Sequence, residues 1–274
     1  MKSNPRIFIG TSGWSHDSWK GGFYPEKLPK VKYLDHYASR FQSVEMNSVF
    51  YQLPPAKVLA QATREVQDDF LFSVKGTRYI TYIKRLKDAR EILPPFLSRM
   101  DILGEYMGPI ALQLPPKWGI NRDRLKSFLE AMPSGLRFVF EFHDASWFTT
   151  PVYEALAEKN AALGMYQAGE KITPRVATAD FVYLRMHNPK VKKRDKIAGL
   201  VDTWGEQFRD WLDSGKDVFC YFDQAGDDCA ALDALRFREA IENEIGAGAE
   251  SGKLLNAIGF AQTRNVPQQQ IRAS

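Results

Sequence analysis

The amino-acid sequence predicts a single α/β domain closed into a TIM-type (β/α)8 barrel, on three observations. Strand and helix patterns alternate eight times along the chain, with no internal repeat and no linker that would divide domains. The length of 274 residues suits one such barrel, which needs roughly 250. The strands carry apolar side chains on one parity, suited to a helical shell. Polar side chains fall on the other parity near the strands' C-terminal ends, as in a barrel interior. An open doubly wound sheet is the alternative, but it normally brings a Gly-rich phosphate turn, and neither a GxGxxG nor a P-loop motif occurs.

In chain order, Arg6 to Ser12 is a short apolar run closed by small residues, a first strand opening into the long aromatic loop Gly13 to Pro25. Leu34, Tyr37, Ala38 and Phe41 recur at helical spacing. Val44 to Val49 then alternates as a second strand, with Glu45 and Asn47 opposite to Val44 and Met46. Pro55 opens a helix whose apolar face holds Val58, Leu59, Ala62 and Val66, ended by Asp68-Asp69. The third strand, Phe70 to Lys75, places Ser73 and Lys75 opposite to Phe70, Phe72 and Val74. Residues 85–107 read as a helix broken at Pro94-Pro95.

Gly108 to Leu114 is the fourth strand, with Gln113 on the inner parity, and Asn121 caps a helix running to about Met132. Leu136 to His143 is the fifth: Phe138, Phe140 and Phe142 face one way, Arg137, Val139, Glu141 and His143 the other. Pro151 to Asn160 is helical, and Ala162 to Gln167 is a weaker sixth strand. Ala168 to Asp180 shows no amphipathic pattern, so the helix after strand six is expected to be reduced to a loop. Phe181 to His187, the seventh strand, turns Tyr183, Arg185 and His187 inward. A helix from Thr203 to Leu212, an eighth strand from Asp217 to Asp223 and a last helix from Asp228 to Glu242 complete the barrel, expected over residues 1–245. Residues 246–274 read as a loosely held C-terminal extension.

Hydrophobic residues make up 44% and charged residues 26%, which is globular composition. The net charge of +4 points neither to a duplex-DNA binder nor to a polybasic membrane protein. Cys220, on the helix-facing side of a strand, and Cys229, at the start of a helix, exclude a disulfide framework and read as reduced thiols. With no signal-peptide core and no apolar run of spanning length, a soluble, cytoplasmic protein with no membrane partner is expected; the oligomeric state is not readable.

The inward parity near the strand ends gathers Glu45, Asn47, Lys75, Gln113, Glu141, His143, Arg185, His187 and Asp223. Barrel enzymes draw their catalytic groups from the ends of several strands, so this coincidence marks the candidate site. Glu45, Glu141, His143 and His187 are the catalytic candidates, the carboxylates as general acid or base and the histidines as proton partners. Lys75, Arg78, Arg85 and Arg185 offer charge-assisted donors to an anionic substrate, phosphate or carboxylate. The competing reading is an ion-pair network without chemistry. His143, His187, Glu45, Glu141 and Asp223 could also hold a divalent metal, a reading disfavoured because no HxH or HExxH spacing occurs and the cations compete for the carboxylates. The remaining histidines divide: His16 falls in the rim loops, and His36 reads as a surface residue of a helix.

Aromatic residues crowd the same end: Trp14, Trp19, Phe23, Tyr24, Phe50, Tyr51, Trp118 and Trp147. Trp14 and Trp147 are candidate stacking platforms for a base or sugar, while about half of such residues cement long loops instead. The basic run Lys190 to Arg194 reads as a solvated loop, with phosphate clamping as the alternative.

GTSGWSHDSWKGGFYP (Gly10 to Pro25), EMNSVFY (Glu45 to Tyr51), KGTRYITYIKRL (Lys75 to Leu86), LQLPP (Leu112 to Pro116), EFHDASW (Glu141 to Trp147) and YLRMH (Tyr183 to His187) resemble the YecE-like family, domain of unknown function 72. The resemblance runs from about Ile7 to the last helix. It implies a TIM-type barrel with a site at the rim, and assigns no catalytic roles because the family's activity is not established. The chain departs from the family pattern at His16, where Tyr is common, at Asn188, where Gly is usual, and at Asp223-Gln224, where an Asn pair is usual. The expected function is an enzyme acting on an anionic, phosphate-containing substrate by acid–base or hydrolytic chemistry. The alternatives are a glycosidase using Glu45 and Glu141 and a ligand or single-stranded nucleic-acid binding module.

Overall fold

The computed structural model describes residues 4–189, 195–223 and 229–248. Eight parallel strands form the barrel: β1 (Ile7–Thr11), β2 (Ser43–Met46), β3 (Leu71–Lys75), β4 (Met107–Gln113), β5 (Phe138–Glu141), β6 (Ala162–Ala168), β8 (Phe181–His187) and β9 (Asp217–Phe222). The hydrogen-bonded order is β1-β9-β8-β6-β5-β4-β3-β2. The ring closes between β1 and β2 through a parallel bridge of Ser12 with Glu45 and a Gly13 N–H bond to the Glu45 carbonyl at 2.8 Å. Gly10 permits that closure, because a Cβ there would lie 2.2 Å from the Ser43 carbonyl oxygen.

The helices are α1 (Tyr33–Ala38), α2 (Ala56–Arg64), α3 (Ala89–Met100), α4 (Arg122–Ala131), α5 (Thr150–Glu158), α6 (Lys196–Asp213) and α7 (Ala230–Gly248). No helix follows β6. The two-residue strand β7 (Lys171–Ile172) folds back antiparallel on it instead, as the missing amphipathic pattern predicted. The Asn121 side chain caps α4, accepting from the Arg124 N–H at 3.0 Å. Among the described residues, no helix is long and apolar enough to cross a membrane. The basic run at 190–194, Gln224, the expected helix start at Asp228 and the extension beyond Gly248 lie outside the described residues.

Strand parity sorts the core into two shells. Ile9, Val44, Phe72, Phe140, Leu184 and Cys220 face the helices. Phe8, Ala111, Val139, Phe181, Tyr183, Phe219 and Tyr221 fill the barrel itself. The interior grades from apolar to charged along its axis. At the N-terminal end Phe8 stacks on Phe219 at 4.6 Å, and the guanidinium of Arg137 covers Phe181 and Phe219 while pairing with Asp217 at 2.7 Å. Midway, hydroxyls take over: Tyr221 with Ser43 at 2.5 Å, and Tyr183 with Ser73 at 2.9 Å. Above Tyr183 begin the charges.

The structure corrects several expectations. α3 runs unbroken through Pro94 and Pro95, at its middle, because both prolines sit on its exposed face. There the carbonyls of Arg90 and Glu91, which lose their partners, belong to exposed residues within reach of water. Residues 85–88, read as the start of this helix, instead hold left-handed backbone at Arg85, Leu86 and Asp88, after a π-helical turn, Tyr79–Ile83. Val58 is 46% exposed and lies off the buried face of α2, which ends at Arg64, before Asp68-Asp69. His36 is half-buried and not a plain surface residue: its Nε2 is 3.1 Å from the Phe23 carbonyl, and its ring packs edge-on against Phe23, tying α1 to the aromatic loop.

Candidate functional site

Arg185 is the centre of the rim. β8 carries it inward, 2% exposed. Its Nη2 lies 3.1 Å from Glu45 Oε2 on β2 and 3.0 Å from Asp223 Oδ1 just past β9, while Nη1 lies 3.3 Å from Glu141 Oε2 on β5. Three carboxylates from three strands thus converge on one planar fork, a geometry that a lysine could not serve. Burial favours the neutral arginine, but the carboxylates around it outweigh this and hold its pKa well above the usual range.

The three carboxylates differ in what else they touch. Glu45 is fully buried, with Oε1 accepting from Tyr183 Oη and Oε2 from Ser12 Oγ, both at 2.6 Å. With Arg185 it has three protein donors. Glu141 Oε1 faces His143 Nε2 at 2.6 Å and accepts from Gln113 Nε2 at 2.9 Å. Burial pushes its carboxyl up, but Arg185 and the two histidines prevail and hold it well below the ordinary carboxylate range. Asp223 pairs with His187 Nδ1 and is held low by Arg185 and His187 against burial.

His187 is consequently an imidazolium. Burial and the charge of Arg185 lower its pKa, but its hydrogen bond to Asp223, the nearby Glu141 carboxylate and the charge of Asp223 outweigh them and push it up to about 9. Its Nε2 lies 3.8 Å from Glu141 Oε1, close enough for attraction and too far for a hydrogen bond. Lys75 shifts the other way. Burial first, then repulsion from Arg185, lowers its pKa against the pull of Glu45, Glu141 and Asp223. Its Nζ rests over the Phe50 ring, 4.9 Å from the centroid, and among the described residues no hydrogen bond or ion pair holds it.

Among the described residues, four buried side-chain nitrogen or oxygen atoms have no hydrogen-bond partner: Arg185 Nε and His187 Nε2 in this cup, Asn47 Oδ1 on the turn after β2, and Arg209 Nε on α6. Such atoms cost about 1–3 kcal/mol each when left unpaired.

The structure therefore brings together Glu45, Lys75, Gln113, Glu141, His143, Arg185, His187 and Asp223, whereas Asn47 begins the 3-10 turn Asn47–Phe50 after β2 and, among the described residues, no hydrogen bond or ion pair ties it to them. It does not bring in the other three predicted contacts. Trp147 is fully buried, stacked on the helix-facing Phe142 at 4.6 Å with its Nε1 donating to the Trp118 carbonyl, so it belongs to the outer core and presents no face to a ligand. Trp14 is partly buried edge-on against Phe72, also a helix-facing ring. Arg78 is exposed at the start of the π-helical turn, outside the cup. Arg185, expected to bind substrate, spends both terminal nitrogens on carboxylates and works as the internal tie. Among the described residues, no group of three or more His, Cys, Asp or Glu side chains is arranged to hold a metal ion.

Two contributors escaped the sequence reading. Ser12 bonds Glu45 and lies 3.4 Å from Arg185 Nη2. Tyr166 stacks on His143 at 4.8 Å and meets His187 edge-on at 5.7 Å. The parity rule would have found Tyr166, which shares the inner face of β6 with Ala162 and Gly164. Asn188 has a φ of +42°, which explains why glycine is usual at this position.

The family model described as "Protein of unknown function DUF72" matches residues 8–253. Among curated proteins, the UPF0759 protein YecE of Escherichia coli K12 is 29% identical over 164 residues, 60% of this chain and 56% of that protein. The UPF0759 protein YunF of Bacillus subtilis is 27% identical over 63% of this chain and 66% of its own length. The chain thus spans between about half and two thirds of these relatives. Among solved structures, a DUF72 protein from Thermotoga maritima superposes with a TM-score of 0.73 at 24% identity, covering 86% of this chain and 99% of that one. One from Enterococcus faecalis gives 0.70 at 18% identity, covering 86% and 95%. These likenesses bear out the barrel fold.

Proposed function

Because the chain belongs to the DUF72 family, whose function is unknown, we propose from its site alone that it is an acid–base enzyme acting on an anionic, phosphate-bearing substrate at the C-terminal mouth of the barrel. The observation that carries the reading is the pair Arg185 Nε and His187 Nε2, buried without hydrogen-bond partners among the described residues, beside a Lys75 ammonium that no described carboxylate has claimed. Lys75 and the His187 imidazolium are then the donors for the anion. His187 gives a proton to the leaving group. His143, 22% exposed and held at Nε2 by Glu141, takes one from the attacking group. Arg185 and Glu45 fix the others in place.

The glycosidase reading loses support here. A general acid needs a raised carboxyl pKa, and Glu141 is held low while Glu45 is sealed under Tyr183, Ser12 and Arg185. The test is calorimetric titration of native protein and Lys75→Met with a panel of phosphate monoesters. At least a tenfold loss of binding is expected in the variant, and ligands that bind should be turned over by the native protein and not by His187→Gln. Equal binding to both proteins would remove the anion from the account.

A further inference from the structure

Phe50 is shared between two spaces. One face of its ring carries the Lys75 ammonium, and its edges meet Tyr51 at 5.1 Å and Tyr82 at 5.4 Å. The same ring lines a groove of about 620 Å³, together with Tyr51, Tyr79, Ile80, Ile83 and Phe96 among others. That volume suits a small organic ligand. Three of its walls are large apolar side chains left in solvent: Tyr51 81%, Tyr79 49% and Ile83 61% exposed. An exposed apolar cluster of this kind, next to a charged cup, marks a binding surface.

The chain is strained to build the groove. Tyr79 and Ile83 sit four residues apart on the π-helical turn and project together. The turn is followed by three non-glycine residues in left-handed backbone, Arg85 (φ +47°), Leu86 (φ +65°) and Asp88 (φ +56°). Each costs energy that only surrounding packing sustains: Leu86 is buried, and Asp88 takes the Lys84 ammonium at 2.8 Å. Arg78 stands at the lip, exposed, and among the described residues no carboxylate pairs with it. The groove is therefore lined chiefly by apolar side chains, with Arg78, Lys84 and Glu91 also in its lining and the Lys75 ammonium against the Phe50 ring.

We infer that this groove is the second half of the substrate site and takes an aromatic or apolar arm, so that the substrate class is an aromatic phosphate ester, its phosphate on Lys75 and its ring between Tyr51 and Ile83. The inference rests on the proposed anion site and names the kind of anion. It excludes free phosphate and small sugar phosphates as preferred ligands, since neither would cover the groove.

The experiment titrates the whole protein with 1-naphthyl phosphate, inorganic phosphate and 1-naphthol, in native form and as Ile83→Asp, Tyr51→Ala and Lys75→Met. Ile83 and Tyr51 are exposed, so these variants should keep the fold, checked by their thermal transitions. Native protein should bind naphthyl phosphate at least tenfold more tightly than phosphate. Ile83→Asp and Tyr51→Ala should lower naphthyl phosphate affinity by at least fivefold and leave phosphate unchanged, and Lys75→Met should weaken both. Groove variants that bind naphthyl phosphate as native protein does, while Lys75→Met loses it, would overturn the inference and leave the anion site standing. Naphthyl phosphate binding unaffected by any of the variants would overturn both. Naphthol binding as tightly as its phosphate would also refute the coupled site.

Discussion

Glu45 and Arg185 meet at 3.1 Å where the barrel closes, so the residue that seals the β1–β2 seam also anchors the charged cup. Glu45 holds the seam through its backbone, by the bridge to Ser12 and the bond from Gly13, and holds Arg185 through its side chain. Closing the ring and arming the mouth are therefore one structural event, and damage to the cup should register as lost stability before it registers as altered chemistry.

Arg185→Met should be strongly destabilised. It leaves Glu45, Glu141 and Asp223 without their shared cation, and removing one partner of a buried ion pair costs about 3–5 kcal/mol. Urea denaturation should show this as a lower midpoint. Glu45→Gln should lose less, because the amide oxygen can still accept from Tyr183 or Ser12.

Gly164→Ala should disturb the site directly. A Cβ at Gly164 would lie 2.9 Å from Glu141 Cβ and 3.0 Å from its Cα, so β5 or β6 must shift and carry Glu141 with it. Overpacking of this kind costs about 1–3 kcal/mol. Anion affinity should fall as well, measured by calorimetry on protein shown to be folded.

Acid should destabilise the protein through Glu141 and Asp223. Both are held below their ordinary values in the fold. Their contribution is complete above the ordinary carboxyl range near pH 4 and is lost as the pH falls through the depressed folded values. Urea midpoints from pH 7 to pH 3 should fall, with a shallower slope in Asp223→Asn than in native protein.

Trp147→Ala should behave as a core truncation, costing about 3–5 kcal/mol with anion affinity unchanged in the folded fraction, since the ring lies behind Phe142. Tyr51→Ala should do the reverse, keeping stability and losing affinity for aromatic ligands.

That contrast marks how far the sequence could be read. Period-two parity located Glu45, Lys75, Gln113, Glu141, Arg185 and His187 correctly, because a residue inside a strand has only two faces to choose from. It gives no guide one turn further on, where the candidates rest on residue type alone. Trp147 sits on the short 3-10 turn Ala145–Trp147 and Arg78 at the start of a π-helical turn, where side-chain direction follows the turn and no longer the strand. The prolines of α3 misled for a related reason: a proline breaks a helix by what its missing donor leaves unpaired, and on an exposed helix face water supplies the deficit. Nor could parity tell Arg185 the tie from Arg185 the substrate donor, since that depends on how many carboxylates arrive at one fork.

The most direct test of the charged cup is a 15N NMR titration of the His187 ring nitrogens from pH 5 to pH 10. If Asp223 and Glu141 converge on this imidazole, it stays protonated through neutral pH and titrates near 9, and Asp223→Asn brings the midpoint down. A His187 that titrates near 6.5 in native protein, unmoved by Asp223→Asn, would contradict the convergence on which the proposed chemistry stands.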